Sequence, residues 1–231
     1  MPRTPPPPLI LPGLAFTLAL AGCSPTGIDM TNAAPSSDAS PVAPGAAQPQ
    51  YRRNPAPTRA YRITMTIRDA PGGFAWMRPI AHYDVVNREC LSPPKDNPGG
   101  RSAPTPTEAL DVALEPVGPG VYATTVYADY IQDEDYVGQG VCRWELTGFV
   151  VQMKATGAAR ETLFTPNMFG EDLLAGMTET NYFNKISYPR LESSELEQPL
   201  STGQSDRSRF GPSIRDEDLF TVTFAAVKTS P

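Results

Sequence analysis

The sequence predicts a mainly β domain, a sandwich or open barrel of about seven short strands with one short helix, behind a disordered tether. From Arg59 onward, apolar residues alternate with polar ones at a period of two rather than 3.6. Turn residues separate these runs, and one short segment has helical spacing. Prolines are concentrated in front, with 13 of the 27 before residue 59. This distribution predicts a folded domain at residues 59–231.

The first 22 residues are predicted to be a lipoprotein signal peptide. Arg3 precedes an apolar stretch, residues 9–21, that is too short to span a bilayer of about 30 Å. The stretch ends in Leu20-Ala21-Gly22-Cys23, which resembles the lipobox of bacterial lipoproteins. The resemblance implies cleavage before Cys23 and its modification by diacylglycerol and palmitate. By the same resemblance to lipoproteins of Gram-negative bacteria, Ser24 rather than an aspartate at this position favours passage to the outer membrane, with the domain facing the periplasm.

Residues 23–58 are predicted to be the lipidated cysteine followed by a Pro/Ala-rich flexible tether. Export also bears on the other two cysteines. Lipid on Cys23 leaves Cys90 and Cys142, an even pair that most simply forms one disulfide in an oxidising compartment. Two free buried thiols are the alternative.

The first predicted strand has Tyr61, Ile63, Met65 and Ile67 on one face, as a half-buried strand requires. Further strands are predicted at residues 74–87, 109–114, 121–130, 142–154, 161–165 and 220–227. The turn at residues 118–120 predicts a hairpin, and the apolar spacing of residues 170–177 predicts the helix. The polar residues 192–218 are expected to form a long surface excursion before the last strand.

Composition excludes several function classes. A net charge of −6 and a pI near 4.9 leave no cationic face for nucleic acid. One histidine leaves little room for His-ligated metals, so neither a metal nor another cofactor is predicted. His82 and Asp84 are spaced to share one face of a strand, but no nucleophile motif accompanies them, and a structural role is favoured. We predict no catalytic residue and no enzyme, with carboxylate-pair hydrolysis left open.

An acidic, tyrosine-bearing loop is the predicted partner-binding element. No Lys or Arg occurs in the 41 residues between Arg101 and Arg143, whereas seven acids do. Carboxylates speed capture of a basic partner, and tyrosines anchor it at low entropic cost. The predicted contact residues are Asp129, Tyr130, Asp133, Glu134, Asp135 and Tyr136. A solvated acidic loop with tyrosines tucked beneath it, or a calcium loop, are the alternatives.

Several stretches together resemble periplasmic lipoproteins that accompany antibacterial effectors of contact-dependent secretion systems, in particular type VI lipase effectors. The stretches are YRITMTIRDAP at 61–71, YDVVN at 83–87, DEDY at 133–136, GVCRWE at 140–145 and KATG at 154–157. The resemblance implies an immunity protein that binds a secreted toxin and inhibits it by occlusion.

Two other classes of function stay open. One is a structural or assembly lipoprotein of the cell envelope with no toxin partner. The other is a hydrolase or ligand-binding module, which would have a concave pocket with converging polar groups.

Overall fold

The computed structural model describes residues 51–91, 104–192 and 195–229, all of which belong to one unit that spans residues 47–231. The predicted signal peptide, the predicted lipidation site Cys23 and the rest of the predicted tether up to residue 50 lie outside the described residues. In the described ranges, no helix is long and apolar enough to cross a bilayer.

The described residues form eleven strands and one α-helix. The strands are β1 Ala60–Arg68, β2 Trp76–Val85, β3 Thr107–Asp111, β4 Glu115–Gly118, β5 Val121–Tyr127, β6 Trp144–Lys154, β7 Leu163–Phe164, β8 Asn167–Phe169, β9 Thr178–Asn184, β10 Leu200–Ser201 and β11 Leu219–Thr229. The helix is α1, Gly170–Leu174. The strands form two sheets, which confirms the predicted mainly β sandwich.

The first sheet is antiparallel, with the strand order β4-β5-β1-β11-β9. The second has the order β10-β7-β6-β2-β3, with β8 paired to the same β6 edge as β7. The predicted hairpin joins β4 to β5, and Gly120 takes the positive φ that its turn requires. Long central strands in each sheet, β1 with β11 and β2 with β6, therefore carry the core.

The core lies between the two sheets. In β1, Tyr61, Ile63 and Met65 point inward and are buried, as their alternation predicts. Phenylalanines of opposite sheets meet edge to face, Phe149 with Phe224 at 5.6 Å between ring centroids and Phe164 with Phe220 at 5.4 Å.

Polar side chains join the sheets at both open sides of the sandwich. Asn181 of β9 is buried, and its side chain donates to the Asn167 carbonyl at 2.9 Å and accepts from the Asn167 N–H at 3.3 Å. On the other side, the Tyr83 hydroxyl donates to the Tyr127 carbonyl at 2.8 Å. These bonds satisfy backbone groups that a strand end would otherwise leave unpaired.

The structure differs from the prediction in its smaller elements. Strands β4, β8, β9 and β10 were not predicted. In β9 the inward side chains include the polar Asn181 beside Phe183, so no apolar alternation marks the strand. The helix ends at Leu174 rather than near Met177, because Gly176 takes a positive φ and turns the chain.

Candidate functional site: the acidic loop and two surface hollows

The acidic loop, defined here as residues 128–141, follows β5 and returns toward β6. Its first carboxylate, Asp129, accepts hydrogen bonds from the Thr58 N–H at 2.9 Å, the Arg59 N–H at 2.9 Å and the Thr58 hydroxyl at 3.1 Å. Burial works to raise the pKa of Asp129, but these three bonds outweigh it and lower the pKa below its usual value. Asp129 therefore fixes the segment that leads into β1.

Residues 51–58 are bound to the loop rather than separate from it. The Asn54 N–H donates to the Tyr130 carbonyl at 2.7 Å, and the Gln132 N–H donates to the Arg52 carbonyl at 2.8 Å. The Arg52 guanidinium forms a two-bond ion pair with the Glu134 carboxylate. The folded domain thus extends upstream of the predicted start at Arg59.

Aromatic rings pack beneath this junction. Tyr51 lies edge to face against Trp144 at 4.6 Å and against Tyr136 at 5.1 Å between ring centroids. The Tyr136 hydroxyl donates to the Gln132 carbonyl at 2.6 Å. Burial raises the pKa of Tyr136, which keeps its hydroxyl protonated for that bond. The Tyr136 ring therefore packs beneath the loop, which is the arrangement that the alternative of a solvated acidic loop predicts.

The two remaining acids organise the backbone of the loop. Asp133 accepts from the Trp144 N–H at 2.8 Å. Asp135 accepts from four successive N–H groups, those of residues 137–140, at 2.6 to 3.3 Å. Burial works to raise the pKa of Asp135, and these bonds bring it below its usual value. Its carboxylate is therefore occupied by the chain itself, and the described residues contain no cluster of three or more His, Cys, Asp or Glu that could hold a metal.

A disulfide supports the far end of the loop. Cys90 and Cys142 are bonded at 2.08 Å, as predicted, and both are buried. Beside them the buried Asn87 donates to the Val141 carbonyl at 2.9 Å and accepts from the Arg143 N–H at 2.6 Å. The disulfide and the side-chain amide of Asn87 together fix the position of residues 141–143.

Arginines from residues 51–59 offset the charge of the loop. Arg52 pairs with Glu134, Arg53 lies over the Tyr130 ring at 5.8 Å, and Arg59 donates to the Ala128 carbonyl at 3.2 Å. The four acids of the loop and these three arginines leave a net charge of −1. The charge expected to steer a basic partner is consequently smaller than the sequence pattern suggested.

The loop presents other side chains to solvent. Val137 is 39% exposed and Val141 is 53% exposed, and Gln139 between them is also exposed. We call residues 137–141 the loop tip. All six predicted contact residues lie in this one loop, and among the described residues all except Tyr130 make hydrogen bonds through their side chains. That they bind a partner stays a prediction.

A first hollow lies between the sheets, where edge strand β3 faces β5. It has a volume of about 500 Å³ and is lined by Leu110, Val112, Tyr130 and Tyr83, with Arg53 at one side. Burial raises the pKa of Tyr83, whose hydroxyl is already bonded to Tyr127. The one carboxylate in its lining, that of Asp111, is paired with the Arg78 guanidinium at 2.7 Å.

A second hollow, of about 370 Å³, lies on the outer face of the second sheet and contains His82. As predicted, His82 and Asp84 share that face. Asp84 bonds the Thr147 hydroxyl at 2.5 Å rather than His82. Among the described residues, the His82 imidazole therefore has no hydrogen bond to a carboxylate.

Comparison of the chain with protein-family models, with curated proteins and with solved structures finds no match.

Sequence reasoning missed two parts of these sites. Residues 51–58 fall in the predicted tether because residues 23–58 are rich in Pro and Ala and lack apolar periodicity, and the contacts of Tyr51 with Tyr136 and Trp144 give no sequence signal. The outer hollow depends on which residues of three strands lie side by side, and register cannot be obtained from one strand's pattern.

Proposed function

We propose that this protein is a lipid-anchored periplasmic immunity protein, which binds a secreted antibacterial effector and inhibits it by occluding its active site or substrate entrance. The observation that carries the proposal is the acidic loop, which is fixed internally along its length and presents exposed valines at its tip. A loop with this construction suits recognition of another protein.

Rigidity is the first physical reason. Binding costs about 0.5–1.5 kcal/mol for each flexible side chain that becomes ordered, and loop ordering adds to that cost. Here Asp135 already holds the backbone of residues 137–140, and the disulfide already holds Cys142. The loop loses its conformational entropy when the protein folds. Binding of the toxin therefore does not carry that entropic cost again.

The chemistry of the tip is the second reason. Val137 and Val141 offer apolar surface, and the carboxylates of Asp133 and Asp135 lie in exposed residues nearby. An apolar centre with polar groups at its rim is the usual anatomy of a protein interface. We therefore assign the apolar contact to the loop tip, and we assign Asp129, Glu134 and Tyr136 to its support.

A protection assay tests the proposal. We expect a secreted enzyme to be encoded beside this chain, and that enzyme, directed to the periplasm, should kill cells that lack the chain and spare cells that express it. Cys23→Ser, which removes the lipidated residue, should reduce protection at low expression. Killing that full-length chain does not prevent would overturn the immunity role.

The same assay separates the alternative function. A structural or assembly lipoprotein would leave killing unchanged, and its deletion would weaken the envelope in a culture with no toxin. An immunity protein would be dispensable there.

A further inference from the structure

We propose that the hollow around His82, on the outer face of the second sheet, is a binding site for a neutral saccharide. The hollow uses none of the residues of the acidic loop, so this proposal does not depend on the immunity function. The hollow lies over β6, between its two neighbours β2 and β8.

The register of three strands creates the hollow. Gly148 of β6 pairs with His82 of β2 on one side and with Phe169 of β8 on the other. Neighbouring strands are about 4.8 Å apart, so the imidazole and the phenyl ring are carried by backbones about 10 Å apart with no side chain between them. That gap is wide enough to admit a sugar ring.

Gly148 is not required by backbone geometry. A methyl group added there would touch nothing closer than the Met168 carbonyl oxygen, at 3.6 Å. A glycine in a strand interior loses stability relative to alanine, and it often marks a place where a ligand approaches the backbone. The register between β2 and β6 also shifts between His82 and Tyr83, opposite Thr147. Such irregularities are over-represented next to binding and active sites.

Unpaired polar side chains converge on the hollow. Its lining includes the imidazole of His82, the carboxamide of Asn167 and the hydroxyl of Thr202. Among the described residues, none of these three groups has a hydrogen-bond partner on its side chain. Together they offer both donors and acceptors to a ligand.

The lining also limits the ligand's charge and shape. No Asp, Glu, Lys or Arg lines the hollow. Phe169 is 56% exposed beside it, and Val150 contributes apolar surface. A ligand with an apolar face and several uncharged hydroxyl or amide groups satisfies all of these features. A pyranose ring has that combination, since its C–H face packs on an aromatic ring while its hydroxyls bond the polar side chains.

The single histidine provides a specific probe. Because the chain has one His, the ¹³C-labelled imidazole of the detergent-solubilised mature protein gives one NMR signal, which comes from inside the hollow. We expect that signal to shift saturably on titration with an N-acetylglucosamine trisaccharide or with maltotriose. Binding of one and not the other would distinguish an N-acetylated ligand from a simple hydroxylated one. No saturable shift with either sugar would overturn the proposal.

Two variants locate the site. Phe169→Ala should weaken the apparent affinity about tenfold, a change that corresponds to about 1.4 kcal/mol. Gly148→Val should abolish the shift by filling the space between the strands. Val227→Ala, which trims another exposed apolar side chain in the other sheet, is the control and should bind as the wild type does. Undiminished binding by Phe169→Ala would contradict the assignment even if Gly148→Val failed to fold.

Discussion

Asp129 and Thr58 are joined by two hydrogen bonds, from the backbone N–H of Thr58 at 2.9 Å and from its hydroxyl at 3.1 Å, both to the same carboxylate oxygen. The two residues are 71 positions apart. The bond therefore fastens the beginning of the domain to the acidic loop. An acid that the sequence assigns to partner binding thus has a structural role.

Replacing Asp129 with Asn should destabilise the protein by about 1–2 kcal/mol at pH 7, because three hydrogen bonds lose their charged acceptor. The pKa of Asp129 is lowered in the folded state. Its stabilising contribution is therefore present above the unfolded-state pKa and is lost as the pH falls through the folded-state value. Denaturant unfolding should show that the difference in free energy of unfolding between the wild type and Asp129→Asn is smaller at pH 3 than at pH 7.

The matched control for that experiment is Glu115→Gln, which removes an exposed acid with no side-chain bond to another described residue. It should leave stability unchanged. An Asp129→Asn variant as stable as this control at pH 7 would contradict the anchoring role.

Glu179→Gln should stabilise the protein at pH 7, by up to about 1 kcal/mol. The Glu179 Oε2 is buried without a hydrogen-bond partner among the described residues. Burial raises the pKa of Glu179 and the nearby Asp172 adds to that rise, against a bond from the Phe169 N–H. Ionised Glu179 consequently opposes folding above its folded-state pKa, and protonation relieves the cost as the pH falls. In thermal unfolding, the Glu179→Gln variant should be more stable than the wild type at pH 7 and equally stable near pH 4. A variant less stable than the wild type at pH 7 would contradict this prediction.

Removing the disulfide should cost about 4 kcal/mol, since Cys90 and Cys142 are 52 residues apart and the bond restricts a long loop in the unfolded chain. The Cys90→Ala/Cys142→Ala variant, compared with the oxidised wild type by urea unfolding, measures this loss. Reductant should destabilise the wild type and leave the variant unaffected. If the variant and the oxidised wild type were equally stable, the disulfide would not be what holds the loop rigid.

Asn181→Ala should destabilise the sandwich by about 2 kcal/mol, because it leaves the N–H and carbonyl of Asn167 without their partners. Hydrogen exchange should show the Asn167 amide losing protection before the amides of β1 and β11. Thr178→Ala trims an exposed residue of the same strand and should have little effect. Unaltered protection of Asn167 in Asn181→Ala would mean that this bond does not close the sandwich.

The long strands of this fold could be predicted from sequence, and the contacts among loops could not. Strand β1 has strict alternation, and its inward residues are apolar. Strand β9 was not predicted because its inward residue Asn181 is polar. Asn181 is buried because its side chain bonds the backbone of Asn167, which lies in another strand. A single-strand pattern cannot identify a partner of that kind.

The acidic loop shows the same limit for the candidate site. Its charge and tyrosines are visible in the sequence, but their partners Tyr51, Arg52 and Thr58 lie more than 70 residues away. The sequence pattern located the loop; only the tertiary structure shows that its carboxylates hold backbone N–H groups and an arginine, and that valines occupy the exposed tip.

The central claim, capture of a toxin by the loop tip, is tested most directly by measuring the affinity of the purified effector for Val137→Glu/Val141→Glu. Both side chains are exposed, so the variant should keep its fold, whereas Lys at positions 133–135 would also break internal bonds. We predict at least tenfold weaker binding than the wild type, with Val117→Glu, an exposed valine of β4, binding normally. Wild-type affinity in the double variant would contradict the account.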